Sequence, residues 1–191
     1  MALPAEKERY SFADALTWGE NERIEIIYGE AYMMSPPSRM HQEISMELSR
    51  QFSNFLHNRP CRVYAAPFAV RPFEAKEDSP EDVDTMLEPD LTIVCNPDKL
   101  DNYGCKGAPD MVIEILSPST RRHDLSLKYR LYQRAGVREY WIVDPVGETV
   151  QVFRLEDGLY NAADVYTGGT VPVGLWEDFS VDLSQVFGQL S

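Results

Sequence analysis

Apolar and polar residues alternate along the chain in short blocks whose spacing predicts the elements. Ser11 to Glu20 predicts a short helix, with Ser11 as its cap and Phe12, Ala15 and Leu16 on one face. Arg23 to Ile27 and Ala31 to Met34 read as two strands of a hairpin bent at Tyr28-Gly29-Glu30. After the punctuation Ser35-Pro36-Pro37-Ser38, the residues Ile44, Leu48, Phe52 and Phe55–Leu56 recur at helical spacing, predicting an amphipathic helix from about His41 to His57. Arg62 to Val70 is rich in strand formers and stops before Pro72. Leu91 to Cys95 and Met111 to Leu116 are apolar runs too short for helices and bounded by Pro, Asp and Gly, so they predict strands. Ser117-Pro118-Ser119-Thr120 then caps a helix reaching about Ala135, where Gly136 ends it. Leu125, Tyr129 and Tyr132 form its inner stripe, and Lys128 sits among them. Glu139 to Val143 is a strand closed by Asp144-Pro145, and Thr149 to Leu155 with Leu159 to Val165 form a last hairpin across Glu156-Asp157-Gly158. This order predicts one α/β domain around a mixed sheet. The apolar tail carrying Trp176, Phe179 and Phe187 reads as core, with a dimer contact as the alternative.

Charge narrows the functions open to such a domain. The 191 residues carry 18 Lys plus Arg against 31 Asp plus Glu, a net charge of −13. Net charge therefore cannot hold nucleic acid; a local basic patch or bound cations must do so. Residues 74–88 concentrate seven acids against one lysine without the spacing of an EF-hand, and read as a solvated loop. Cys61, Cys95 and Cys105 match no zinc spacing and read as reduced thiols. The N-terminus lacks an apolar signal core, and no window approaches ~18 uninterrupted apolar residues. The expectation is a soluble, cytoplasmic protein with no membrane contact.

No phosphate-cradling glycine loop and no nucleophile elbow is present. His41-Gln-Glu43 opens like a zinc-deaminase signature, but its cysteine half is missing. The carboxylates carry more. Glu114, between Ile113 and Ile115, is an acid inside an otherwise buried strand, where a lone carboxylate needs a partner or a metal. An arginine partner is the simpler of these alternatives. Asp110 shares its face but lies about 13 Å away along the strand, too far to chelate one ion. Asp90 is better placed. If the two strands pair antiparallel with Val94 opposite Asp110, Asp90 falls opposite Glu114 on the same face. Lys128 either snorkels outward or brings its ammonium to this pair; Asp124, one turn earlier, is a possible i,i+4 partner.

The run EPDLTIV, followed by APDMVIEILSPSTRRHDLSLKYRLYQRAGVREYWIVDP and preceded by RIEIIYGEAYMMSPPSRMHQEIS, resembles the bacterial Uma-type restriction-endonuclease family of the PD-(D/E)XK nuclease superfamily. The resemblance implies a restriction-endonuclease-like mixed β-sheet flanked by helices. It divides one domain into an N-terminal helix and hairpin (1–35), a nuclease core (36–145) and a C-terminal β-hairpin extension (146–191). It also implies hydrolysis of DNA phosphodiesters with Mg²⁺ (or Mn²⁺), and a homodimer would suit double-strand cleavage. Asp90 corresponds to the motif aspartate and Glu114 to the motif glutamate, with the Ile115 carbonyl as a further metal ligand. The superfamily's lysine, two residues after that glutamate, is here Leu116, so the cation has to come from Lys128. Glu47 is the candidate for an additional helix glutamate, with Glu30 and Glu43 behind it. His41 is a candidate phosphate contact or helix cap, and Arg121 and Arg122 are candidate nucleic-acid contacts near a helix N-terminus. Two other classes stay open: a catalytically inactive interaction protein on a nuclease scaffold, and a metal-dependent hydrolase of a small phosphorylated substrate.

Overall fold

The computed structural model describes residues 7–19, 22–118 and 121–188. A single turn, α1 (Phe12–Ala15), precedes the hairpin β1 (Ile24–Ile27) and β2 (Glu30–Met33), and the long helix α2 (Arg39–Leu56) follows. Next come β3 (Arg62–Ala65), β4 (Ala69–Arg71), β5 (Leu91–Val94), β6 (Gly104–Lys106) and β7 (Met111–Ile115). A π-helical turn, His123–Lys128, runs into α3 (Tyr129–Ala135), which Gly136 ends in the left-handed conformation at φ 88°. β8 (Glu139–Asp144), β9 (Thr149–Glu156), β10 (Leu159–Tyr160), β11 (Asp164–Tyr166), β12 (Thr170–Pro172), β13 (Ser180–Asp182) and α4 (Leu183–Phe187) complete the chain. Ser119 and Thr120, expected as helix caps, lie outside the described residues.

The main sheet runs β10-β9-β8-β7-β5-β3, with β11 also on β9; β7 and β8 are parallel and the other neighbours antiparallel. This is the mixed α/β sheet expected. Strand alternation sorts its core. Met111, Ile113 and Ile115 face α2, packing with Ile44, Leu48 and Phe52. Val112 and Leu116 face the other way, toward Leu131 and Tyr132. Burial on both faces explains why β5 and β7 read as continuous apolar runs rather than alternating ones. No helix among the described residues is long and apolar enough to cross a membrane.

Several expectations need correction. Arg62 to Val70 is two strands, β3 and β4, interrupted around Pro67, and the partner of β9 is split into β10 and β11. Only the middle of the acidic stretch, about 75–82, is solvated: Glu74 pairs with buried Arg71, Val83 and Met86 pack with Phe12 and Ile26, and Leu87 bridges to Val70. In the apolar tail, Phe187 is buried and Phe179 stacks on Phe55 of α2 at 4.1 Å. This is the core role expected of that segment. Leu125, assigned to the inner stripe, is exposed, whereas Asp124 is buried. The extra residue in a π turn rotates the helix face, so ordinary 3.6-residue spacing misplaces these two.

The thiols also differ from expectation. Arg62 pairs with Val94, so the next residues out in that antiparallel ladder, Cys61 and Cys95, come face to face and form a disulfide. Cys105 remains free and buried, and burial pushes its thiol to about 11. Thiol titration of the native chain at pH 8 is expected to detect no fast-reacting group. Denatured protein should show one thiol without reductant and three with it. Three thiols in denatured, unreduced protein would remove the bridge.

Candidate active site

The β5–β7 ladder pairs Leu91 with Ile113, Thr92 with Val112 and Ile93 with Met111. Extended by one step, the same register sets Asp90 opposite Glu114. Opposed residues in antiparallel strands have Cβ atoms roughly 4.5–5.5 Å apart, close enough for two carboxylates to share one ion. Asp90, Glu114, Ile115, Lys128 and His41 all line one cleft of ≈ 480 Å³, with Arg23 and the Met34–Ser38 loop on its rim.

The glutamate is held firmly. Its Oε1 accepts from Lys128 Nζ at 3.0 Å and from the Tyr132 hydroxyl at 2.8 Å. The π turn carries Lys128 inward to 2% exposure, so the ammonium does not snorkel. Its other neighbours are Glu25 Oε1 at 2.9 Å and Asp124 Oδ1 at 3.5 Å, the latter the expected i,i+4 partner. Both hydrogen bonds to the Asp90 carboxylate among the described residues fall on Oδ2, from the Ile115 amide at 2.7 Å and at 3.1 Å from His41 Nε2. Capping at the start of α2 is done by Ser38, which accepts from the His41 amide. The His41 ring is thereby free to meet Asp90.

Charge in this pocket does not balance. Glu25, Glu114 and Asp124 surround one lysine, and Asp90 adds a fourth carboxylate. Burial pushes the Glu114 carboxyl well above its ordinary range; Lys128 opposes this, while Asp124, Asp90 and Glu25 reinforce it. Burial alone would lower the Lys128 ammonium, but Glu114, Glu25 and Asp124 outweigh it and hold the group protonated. Tyr132, buried beside Glu114, is likewise held as a neutral donor. A site of this kind attracts further positive charge.

Whether a divalent cation suits it depends on the donors. No cluster of three or more His, Cys, Asp or Glu side chains among the described residues is arranged to cage a metal. The described side chains therefore do not supply the ligand number of a zinc- or calcium-type enclosure. Mg²⁺ differs, since it keeps several waters and usually takes only one or two carboxylates together with substrate phosphates. Two opposed carboxylates at the wall of an open cleft fit that ion.

Five expected residues are placed elsewhere. Glu47 is tied to Arg50 at 2.6 Å and to Gln51 at 2.9 Å, on the α2 surface facing Gln185, and does not line the cleft. Glu43 pairs with Arg39, and Glu30 accepts from Tyr32. Arg121 is engaged with Asp144 at 2.8 Å, and with the Gly147 and Val146 amides it holds that carboxyl below its usual range against the opposing effect of burial. Arg122 is exposed.

Glu25 and Arg23 were not expected. Glu25 lies between Ile24 and Ile26 in a fully buried strand, the same mark that singled out Glu114. Its Oε1 also accepts from the Glu88 amide at 3.0 Å, and Arg23 pairs with the Glu88 side chain at 3.2 Å. These contacts fasten the hairpin beside the cleft.

The sequence matches the Uma2 family, described as "Putative restriction endonuclease", over residues 11–183. It is 26% identical over 145 residues to the uncharacterized protein slr1290 of Synechocystis sp., covering 74% of this chain and 72% of that one. A crystal structure from Anabaena variabilis, titled a putative nuclease belonging to DUF820, superposes with a TM-score of 0.74 at 20% identity. The superposition covers 95% of this chain and 99% of the other, and establishes the shared fold.

Proposed function

Because the chain belongs to Uma2, the family described as "Putative restriction endonuclease", we propose that it hydrolyses DNA phosphodiester bonds with Mg²⁺ or Mn²⁺ held by Asp90 and Glu114. The observation that carries this reading is the register of β5 on β7, which opposes those two acids beside a buried ammonium. The Ile115 carbonyl is the third proposed ligand. A cation bound there supplies charge neutralisation on the phosphoryl oxygens and a more acidic water.

The chain's own groups have separate tasks in this scheme. Lys128 holds Glu114 oriented and adds a fixed positive charge next to the developing negative charge of the transition state. Leu116 packs in the apolar cluster with Leu131 and Tyr132, so the lysine usual at that position is replaced by one arriving from the helix. Tyr132 donates to Glu114, and His41 and the Ile115 amide fix Asp90. Asp124 and Glu25 set the position of Lys128 and act through it.

One observation favours the non-catalytic reading. An ammonium has three donors, and Lys128 already has three carboxylate neighbours, as in a closed structural network. Supercoiled plasmid separates the two. The full chain is expected to nick it in millimolar Mg²⁺ or Mn²⁺ and not in EDTA, with a metal-dependent rise in melting temperature that Glu114→Gln abolishes. Neither nicking nor a metal-dependent shift would favour the scaffold. Turnover of nucleotides but not DNA would favour a small phosphorylated substrate.

A further inference from the structure

The β1–β2 hairpin closes through Tyr28 and Gly29 alone, since Ile27 pairs with Glu30. Both turn residues have positive φ, 51° and 84°. That two-residue geometry favours Asn, Asp or Gly, and a bulky side chain in it is sterically costly. The cost retains an aromatic ring at the surface. Tyr28 is 38% exposed and lies nearly parallel to Phe73, with ring centroids 6.2 Å apart and planes at 17°. The Arg134 guanidinium sits 5.8 Å from the Tyr28 ring centroid and 5.1 Å from that of Phe73.

Arg134 and two arginines before it in the chain, Arg122 and Arg130, are unusual for so acidic a protein. Most exposed arginines elsewhere are matched to carboxylates, as in Arg9–Asp84, Arg39–Glu43 and Arg59–Asp178, while Arg62 donates to the Arg59 and Cys61 carbonyls. Arg122, Arg130 and Arg134 are exposed and form no ion pair among the described residues, despite 31 acids in the sequence. All three lie on the helix that brings Lys128 to the cleft, with Arg130 and Arg134 one turn apart on the same side. Lys128 and Arg134 are six residues apart, about 9 Å along the axis.

We propose that this helix edge and the Tyr28–Phe73 pair form a track for single-stranded nucleic acid leading to the cleft. Arg122, Arg130 and Arg134 take its phosphates, and Tyr28 takes an unpaired base. The assignment rests on the nuclease reading and specifies its substrate as a strand with unpaired bases. A single strand is favoured over a duplex because a ring can stack only on a base released from its partner. Three arginines are also few against a duplex that presents one charge per ~1.7 Å.

Fluorescence anisotropy with a labelled oligothymidylate in EDTA tests the track on the full chain without cleavage. The wild type is expected to bind the single strand more tightly than a duplex of equal length. Arg130→Gln with Arg134→Gln should flatten the slope of log K against log salt by about 1.4. Tyr28→Asn suits the turn, so it should keep the melting temperature while weakening binding ~10-fold, and an abasic oligomer should not respond to it. No binding by the wild type, equal affinity for duplex, or unchanged binding in these variants would overturn the proposal. Equal competition by a polyglutamate peptide would also overturn it and indicate an acidic protein partner. Plasmid nicking by the same preparation keeps the two readings apart. Track-dependent binding without nicking defeats the nuclease reading alone, and nicking with track-independent binding defeats the track alone.

Discussion

Replacing Lys128 with methionine is expected to destabilise the fold by about 3–5 kcal/mol, a fall in melting temperature of roughly 6–20 °C for a chain of this size. The loss is large because the ammonium serves three buried carboxylates at once, Glu25 at 2.9 Å, Glu114 at 3.0 Å and Asp124 at 3.5 Å. Removing it takes the one ammonium from three buried carboxylates, whereas an exposed pair such as Arg39–Glu43 contributes only ~0.3–0.5 kcal/mol. The pH dependence has a definite sign. Burial already pushes the Glu114 carboxyl up, and losing Lys128 removes the chief opposing influence. A group whose folded pKa is raised stabilises the fold below its unfolded value and loses that contribution as pH rises through the folded one. The deficit of Lys128→Met should therefore be smaller at pH 5 than at pH 7. Adding Glu114→Gln should recover part of it at neutral pH. Urea unfolding at both pH values measures this; a deficit below about 1 kcal/mol at pH 7, or one that grows toward acid, would contradict it.

Asp90→Asn and Glu114→Gln should each reduce metal-dependent nicking by at least ~10²-fold while leaving the chain folded. Activity and stability are expected to part company at Glu114. Neutralising one carboxylate in a pocket with a negative surplus should leave the melting temperature unchanged or raise it, even as activity disappears. At position 90 an asparagine keeps the carbonyl oxygen that accepts from the Ile115 amide, so the local backbone stays anchored. Glu47→Gln is the control, because its partners are Arg50 and Gln51 outside the cleft. Plasmid nicking rates with melting curves for the three variants provide the check. Full activity in Asp90→Asn or Glu114→Gln, or loss of activity in Glu47→Gln, would require a different set of residues.

The parts of this site readable from sequence are those governed by short-range periodicity. Strand alternation puts Asp90 and Glu114 on one face, and the assumed pairing of Val94 with Asp110 is the register the structure has. An acid between isoleucines marks Glu114, and Glu25 carries the same mark. That mark flags Glu25 as an acid in need of a partner, but its partner, Lys128, lies 103 residues later, and no local pattern encodes the pairing. The inner face of the Lys128 helix departs from 3.6-residue spacing for another reason: the π turn over His123–Lys128 changes the periodicity and exchanges Leu125 for Asp124. The family likeness suggested Glu47 as a helix glutamate, but α2 turns it toward α4, where Arg50 and Gln51 hold it. The disulfide followed from a strand register that lone cysteines do not reveal.

The most direct test is a crystal of the protein soaked in Mn²⁺. An anomalous peak between the Asp90 and Glu114 carboxylates, absent from crystals of Glu114→Gln, is the predicted result. No peak there in the wild type, with manganese bound only along the acidic stretch 74–82 or nowhere, would contradict it.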